Sequence, residues 1–333
     1  MPQGEHIMKK RNYVYLAAGA FLLLGRYITG RLVSGGWGKP LQWPRTNQHR
    51  RINCPSNNTW HARFDGPADA PPLVFIHGIN ANHRQWYYQR QYFNKSHRLI
   101  FLGMPLHGKN ANGYKLDIPT LAADLSFVFA QLHLSGAVVY GHSMGGMVLL
   151  QYGVLHLNPV RVKGMVVHGA SYTNPLLTAP LTSWLALLQR PLVVPVLNFY
   201  KRLRRVFNVL SYLNFFNGTG LLGLRYLLFT GTQTAEQLIY VSAMAPTNDA
   251  GAVAESLLQL MRYNVSRELG KINIPVLLIS GLRDRLSAVS CNLYMHRYLP
   301  QAQLKLIPAG HQGMVENHRQ VNAALAEFMQ QVQ

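Results

Sequence analysis

The chain has 333 residues, of which 48% are hydrophobic and 13% charged. That is enough for one large α/β domain, with or without an insertion, or for two small domains, and it lacks the low hydrophobicity and high charge of disordered chains. Lys and Arg number 32 against 12 Asp and Glu, a net charge of +20 that favours anionic partners. The basic residues are scattered rather than gathered into a nucleic-acid-binding module, so no nucleic acid partner is expected. Cys54 and Cys291 make no disulfide framework, and the histidines are dispersed without HExxH or CxxC spacing, so no metal site is expected.

The first 45 residues differ in kind from the rest. Lys9, Lys10 and Arg11 precede the apolar run YVYLAAGAFLLLG (13–25). It is shorter than the roughly 20 residues of a spanning helix, but reaches Val33 if Arg26 and Arg31 snorkel. Residues 1–45 are therefore expected to be an anchor and linker that associate the protein with a membrane; the alternative is an export signal. Basic residues flank both ends of the run, so its orientation is left open.

From residue 46 the pattern alternates. TWHARF (59–64) predicts an early strand, followed by the turn Asp65-Gly66-Pro67. PPLVFIHG (71–78) predicts a buried strand, 83–93 a helix, and HRLIFLGM (97–104) a second buried strand. Residues 118–134 predict an amphipathic helix with Leu121, Leu125, Val128, Phe129 and Leu132 on one side. A strand at 137–141, a helix at 144–157 and a strand at 162–168 follow. Continuous apolar strands alternating with helices predict an α/β fold with a mostly parallel sheet covered on both faces. The rhythm lapses over 172–270, which is read as a helical cap containing a clear helix at 249–263 that starts on an Asp. It resumes with a strand at 274–281, a helix near 287–298, a strand at 303–308 and a last helix at 318–331. The sheet domain thus comprises 46–171 and 271–333.

Within this order, Gly141-His142-Ser143-Met144-Gly145 reads G-x-S-x-G where a strand ends and a helix begins. A serine on such a turn projects its hydroxyl from the sheet, the glycines let neighbouring backbone pass closely, and the following helix aims its N-terminal dipole at developing negative charge. A serine nucleophile needs a base, and the base an orienting acid. Asp284 is the only acid in a strand-end loop beyond the serine, and His311 lies between glycines in the loop after the last strand; His318 is less well placed on the helix beyond. His142 and His168 are expected to be satisfied loop or strand-end histidines, and His77 to shape its own loop. The backbone N–H groups of Met144 and Ile79 are the candidate oxyanion donors.

FIHGIN (75–80), GHSMGG (141–146), GLRD (281–284) and PAGHQGMVE (308–316) together resemble the α/β-hydrolase family, in its capped esterase/lipase-like branch. The resemblance spans residues 58–331. It implies the α/β-hydrolase fold and a serine hydrolase without cofactor, with Ser143 as nucleophile, His311 as base, Asp284 as orienting acid, and Ile79 and Met144 as backbone donors. Gly103-Met104-Pro105-Leu106-His107-Gly108 departs from the family's Asp-x-x-Gly-x-Gly, so the hydrogen bonds of that loop must differ. LTSWLALLQRPLVVPVLNFY (181–200) and FNVLSYLNFF (207–216) suit an apolar acyl chain, and the basic run 201–205 suits an anionic membrane surface. An ester or lipid substrate is thus expected. An acyltransferase or thioesterase using the same triad, another chemistry of the family such as C–C bond hydrolysis, or a non-catalytic binding protein on this fold stay open as alternatives.

Overall fold

Runs of consecutive aliphatic residues become interior strands because both of their faces are covered. The computed structural model describes residues 19, 24–36, 38–44, 48–105, 116–179 and 183–332. Among these residues the strands are β1 (His49–Asn53), β2 (Thr59–Asp65), β3 (Pro72–Ile76), β4 (Arg98–Gly103), β5 (Ala137–His142), β6 (Val162–His168), β7 (Val276–Gly281) and β8 (Ala302–Ile307). They form one sheet in the order β1-β2-β4-β3-β5-β6-β7-β8. β2 pairs antiparallel with β1 and β4, and all pairs from β4 to β8 are parallel. β5 and β7, both flanked by a strand on each side, are buried along their whole length.

The described helices begin with α1 (24–33), α2 (Tyr87–Phe93), α3 (Ile118–Gln131) and α4 (Met144–Leu155). Between β6 and β7 run α5 (Pro175–Thr178), α6 (Val194–Arg202), α7 (Arg204–Asn217), α8 (Thr219–Leu228), α9 (Ala235–Ser242) and α10 (Ala250–Leu260). The chain closes with α11 (Val289–Tyr298), α12 (Gly313–Glu316) and α13 (His318–Gln331). Leu121, Leu125 and Val128 of α3, Val148 of α4 and Met295 of α11 are buried in the core on one face of the sheet. Phe93 of α2 and Leu325 and Phe328 of α13 join Trp86 in the core on the other. Each such side chain withdrawn from water contributes about 1.5–3 kcal/mol.

Local chemistry sets the boundaries. Asp117 caps α3 by accepting the N–H of Thr120 (2.9 Å), and Asp249 caps α10 by accepting that of Ala252 (3.0 Å). The helix expected to run to 134 stops at Gln131, because His133 (φ +49°) and Gly136 (φ +60°) turn the chain back toward β5.

α1 lies against the segment between β6 and β7. A Cβ at Gly25 would stand 2.3 Å from the carbonyl oxygen of Asn217, and one at Gly30 would stand 3.2 Å from Ile239. The carbonyl of Val33, an orphan acceptor at the helix C-terminus, takes hydrogen bonds from Arg225 Nε (2.6 Å) and Gln233 Nε2 (3.2 Å). Lys9–Arg11 and most of the apolar run 13–25 lie outside the described residues. Among the described residues no helix is long and apolar enough to cross a membrane.

Candidate active site

Ser143 stands alone between the end of β5 and the start of α4, at φ 52° and ψ −121°. An L-residue rarely adopts that conformation, and here the surroundings over-determine it. The N–H of Ser143 donates to the carbonyl of His168 (2.9 Å), and its own carbonyl accepts from Met147 N–H (3.0 Å). The flanking glycines are required by close approach: a Cβ at Gly141 would lie 2.6 Å from the carbonyl oxygen of Gly145, and one at Gly145 would lie 2.5 Å from that of Ile76. Met144 is the first residue of α4, so its N–H has no intrahelical acceptor.

Asp284 follows β7 and His311 follows β8, so the order of the sheet brings the two loops together. Asp284 Oδ2 accepts a hydrogen bond from His311 Nδ1 at 2.8 Å. Its Oδ1 accepts the N–H groups of Leu286 (2.8 Å) and Ser287 (2.9 Å), which fixes the carboxylate plane. Both residues are buried. With the proton of the imidazole committed to Asp284, Nε2 carries the lone pair of a base. Gly169 (φ +59°) packs against the pair, and a Cβ there would stand 3.2 Å from His311 Nδ1.

Ser143 and His311 share the wall of one cavity of about 270 Å³, with Ile79, Met147 and Leu286 beside them. Leu176 of α5, Leu197 of α6 and Leu257 of α10 also line it. Among the described lining residues His311 is the only ionisable one; aliphatic and Met side chains dominate the rest. Such a lining favours apolar over charged groups.

Behind the wall lies a polar layer that spacing along the chain did not reveal. Gln85 is fully buried; its Oε1 accepts the N–H of Gly78 (3.1 Å), and its Nε2 donates to His142 Nδ1 (2.9 Å) and Gln312 Oε1 (3.1 Å). His142 Nε2 then donates to the backbone carbonyl of His311 (2.9 Å). Burial holds His142 well below the usual histidine range, and the neighbouring His311 and His168 push in the same direction, so it stays neutral. Burial likewise lowers His168 to about 3, with His311 adding to the effect. His77 Nδ1 donates to the carbonyl of Gly78 (2.8 Å), and Nε2 accepts Met104 N–H (3.2 Å). That second bond gives the departing loop after β4 an anchor; its residues 106–108 lie outside the described residues. Glu316 Oε2 accepts Gly310 N–H (2.9 Å), while Oε1 accepts Thr230 N–H (2.8 Å) and the hydroxyl of Thr232 (2.9 Å), tying the His311 loop to the segment before β7. In sequence, buried glutamines and a bridging glutamate look like surface residues.

The α/β-hydrolase fold family model matches residues 71–318. An sn-1-specific diacylglycerol lipase from Danio rerio is 30% identical over 141 residues, which cover 42% of this chain and 43% of that protein. A Bacillus subtilis protein of the same superfamily is 24% identical over 270 residues, covering 77% and 91% of the two chains. Among solved structures, an esterase from Exiguobacterium antarcticum superposes with a TM-score of 0.70 at 20% identity, covering 84% of this chain and 98% of that one. A membrane phospholipase A superposes with a TM-score of 0.66 at 19% identity and covers 99% of both chains. With three quarters of its length matched by the family model and all eight strands in one sheet of the expected kind, the chain belongs to the α/β-hydrolase family.

Proposed function

We propose that this protein hydrolyses carboxylic esters of apolar acyl chains, lipid esters first among them, with Ser143 as nucleophile, His311 as general base and acid, and Asp284 as its orienting partner. The observation that carries this reading is the almost wholly apolar cavity whose wall holds both the strained Ser143 and an imidazole bonded through Nδ1 to a buried carboxylate.

The acyl chain lies in the cavity with its carbonyl carbon at Ser143 Oγ. His311 Nε2 takes the hydroxyl proton as the Oγ–C bond forms, and the carbonyl electrons move onto oxygen. That oxyanion accepts the N–H groups of Ile79 and Met144, with the N-terminal dipole of α4 behind the second. Collapse breaks the bond to the alcohol, which leaves with the proton from His311. Water then attacks the acyl-enzyme, giving its proton to His311, and the acid departs as Oγ regains a proton. Asp284 accepts the Nδ1–H throughout and stabilises the imidazolium.

A lipid surface as the source of substrate is supported by the outside of the same segment. Trp184, Leu187 and Phe199 of α6 are 60%, 86% and 56% exposed. Exposed apolar residues gathered on one segment suit a partner or membrane surface. Arg202 and Arg205 are exposed beside them, whereas Lys201 is engaged by Glu255.

A chain-length series of aryl esters, assayed with wild type and with Ser143→Ala, tests the activity. Turnover that rises with acyl length and vanishes in the variant is expected. Turnover by Ser143→Ala at the wild-type rate contradicts the assignment.

A further inference from the structure

A second cavity, of about 260 Å³, is bordered by some of the same elements and is more polar than the first, although aromatic and aliphatic side chains still form much of its wall. Asn80, Ser211, Asn214, Ser242 and Asn248 line it, and among its described lining residues none is charged. Shared elements border both spaces. Ile79 borders the first and Asn80 the second; on α6, Leu197 borders the first and Tyr200 the second; on α10, Leu257 borders the first and Val253 the second. Residues three or four apart on a helix share a face, so α6 and α10 carry one continuous wall along both.

Asn248 shows what this second space lacks. Its side chain is 6% exposed, and its Nδ2 donates to Asn80 Oδ1 (3.2 Å) and to the carbonyl of Met244 (3.1 Å). Its Oδ1 is buried with no hydrogen-bond partner in the structure. A buried carbonyl oxygen without a donor carries a desolvation penalty, which a ligand hydroxyl would relieve. The buried Ser242, the half-buried Ser211 and the exposed Asn214 place further donors and acceptors along the same wall, from its floor to its rim. Tyr200 and Phe207, ring-stacked on each other, form an apolar side against which the C–H face of a polyol packs. A phosphate or carboxylate would find no cation among these lining residues.

We infer that this cavity binds the alcohol portion of the substrate, and that this portion is uncharged and carries free hydroxyls, as in a glycerol or sugar ester. The inference rests on the ester-hydrolase reading above and specifies it. With the acyl chain in the apolar cavity and the oxyanion at Ile79 N–H, the leaving alcohol extends past Asn80, and one of its hydroxyls donates to Asn248 Oδ1.

Initial rates are compared for three esters of the same fatty acid: the 1-monoacylglycerol, the sucrose monoester and the ethyl ester. Wild type, Asn248→Ala and Val253→Phe are measured, the last filling the cavity without touching the Asn80–Asn248 bond. Wild type is expected to favour at least one hydroxylated ester over the ethyl ester by about tenfold in kcat/KM, the weight of one or two well-placed hydrogen bonds. Whichever of glycerol and sucrose gives the larger ratio identifies the alcohol. Both variants are expected to bring that ratio down toward one. A wild-type ratio near one overturns the inference, as does a ratio that neither variant changes because all esters slow together. Absence of turnover on the ethyl ester as well as the others defeats the hydrolase reading itself, a result separable from the first two.

Discussion

At Ser143 the backbone holds φ 52° and ψ −121°, which glycine adopts without penalty and serine does not. Ser143→Gly is therefore expected to stabilise the fold by about 1 kcal/mol, raising the Tm by about 2–4 °C, while removing ester turnover. A thermal melt in which the variant unfolds below wild type would show that the turn is not strained. In the proposed mechanism Asp284 acts through the imidazole it holds. Asp284→Asn keeps an acceptor for Leu286 and Ser287 but can present an amide N–H to His311 and favour the wrong tautomer; kcat is expected to fall about 10⁴-fold with little change in KM. His168 adds a pH dependence to stability. Its pKa is about 3 in the fold, against 6.5 as the ordinary value it regains on unfolding. Between those values the unfolded chain binds the extra proton, so its contribution is complete above pH 6.5 and is lost as pH falls toward 3. Urea midpoints are expected to drop from pH 7 to pH 5, and less steeply in His168→Gln; equal slopes would remove His168 from the account. Ser143, Asp284 and His311 stood out in the sequence because each occupies the loop after a predicted strand. Gln85, Gln312 and Asn248 did not, because burial of an amide is decided by tertiary contacts far along the chain.

At the scale of elements, legibility followed the chemistry of the ends. α10 was readable from Asp249, its N-cap, and from the apolar residues behind it. β1, HRRIN, was not: only Ile52 is buried, and the strand exists because it pairs with β2 at the edge of the sheet. The helices α5 to α9 blurred into one apolar, proline-broken stretch because many of their hydrophobic residues face outward, so no period separates inside from outside. Glu316 joins that stretch to the His311 loop through Gly310, Thr230 and Thr232. Glu316→Ala leaves these donors without their shared charged acceptor, and is expected to cost about 3 kcal/mol of stability. It is also expected to lower kcat more than it raises KM, since the loop it releases carries the proposed base, His311. Denaturant unfolding and steady-state kinetics on the same sample check both; a variant as stable as wild type would deny the tie.

Across the whole molecule, the parallel sheet and its interruption were legible from the alternation of strands and helices. The packing of α1 on α7, α8 and α9 was not, since Gly25, Gly30 and Val33 meet Asn217, Ile239 and Arg225 only in three dimensions. That packing puts the N-terminal helix on the same segment as the exposed Leu187, Phe199 and Arg202. Neutralising residues 201–205 is expected to weaken binding to anionic liposomes several-fold at low salt and to leave binding to neutral liposomes unaltered. Flotation assays with both lipid compositions read this out, and unchanged anionic binding would remove the basic run from the membrane surface.

The central claim is that one hydroxyl, raised at the end of β5 and activated by His311, performs the chemistry. Peptide mass spectrometry after treatment with a fluorophosphonate tests it most directly. A single adduct on Ser143 is predicted in wild type, strongly slowed in His311→Ala and absent in Ser143→Ala. An adduct on another serine, or ester turnover that survives complete modification of Ser143, would contradict it.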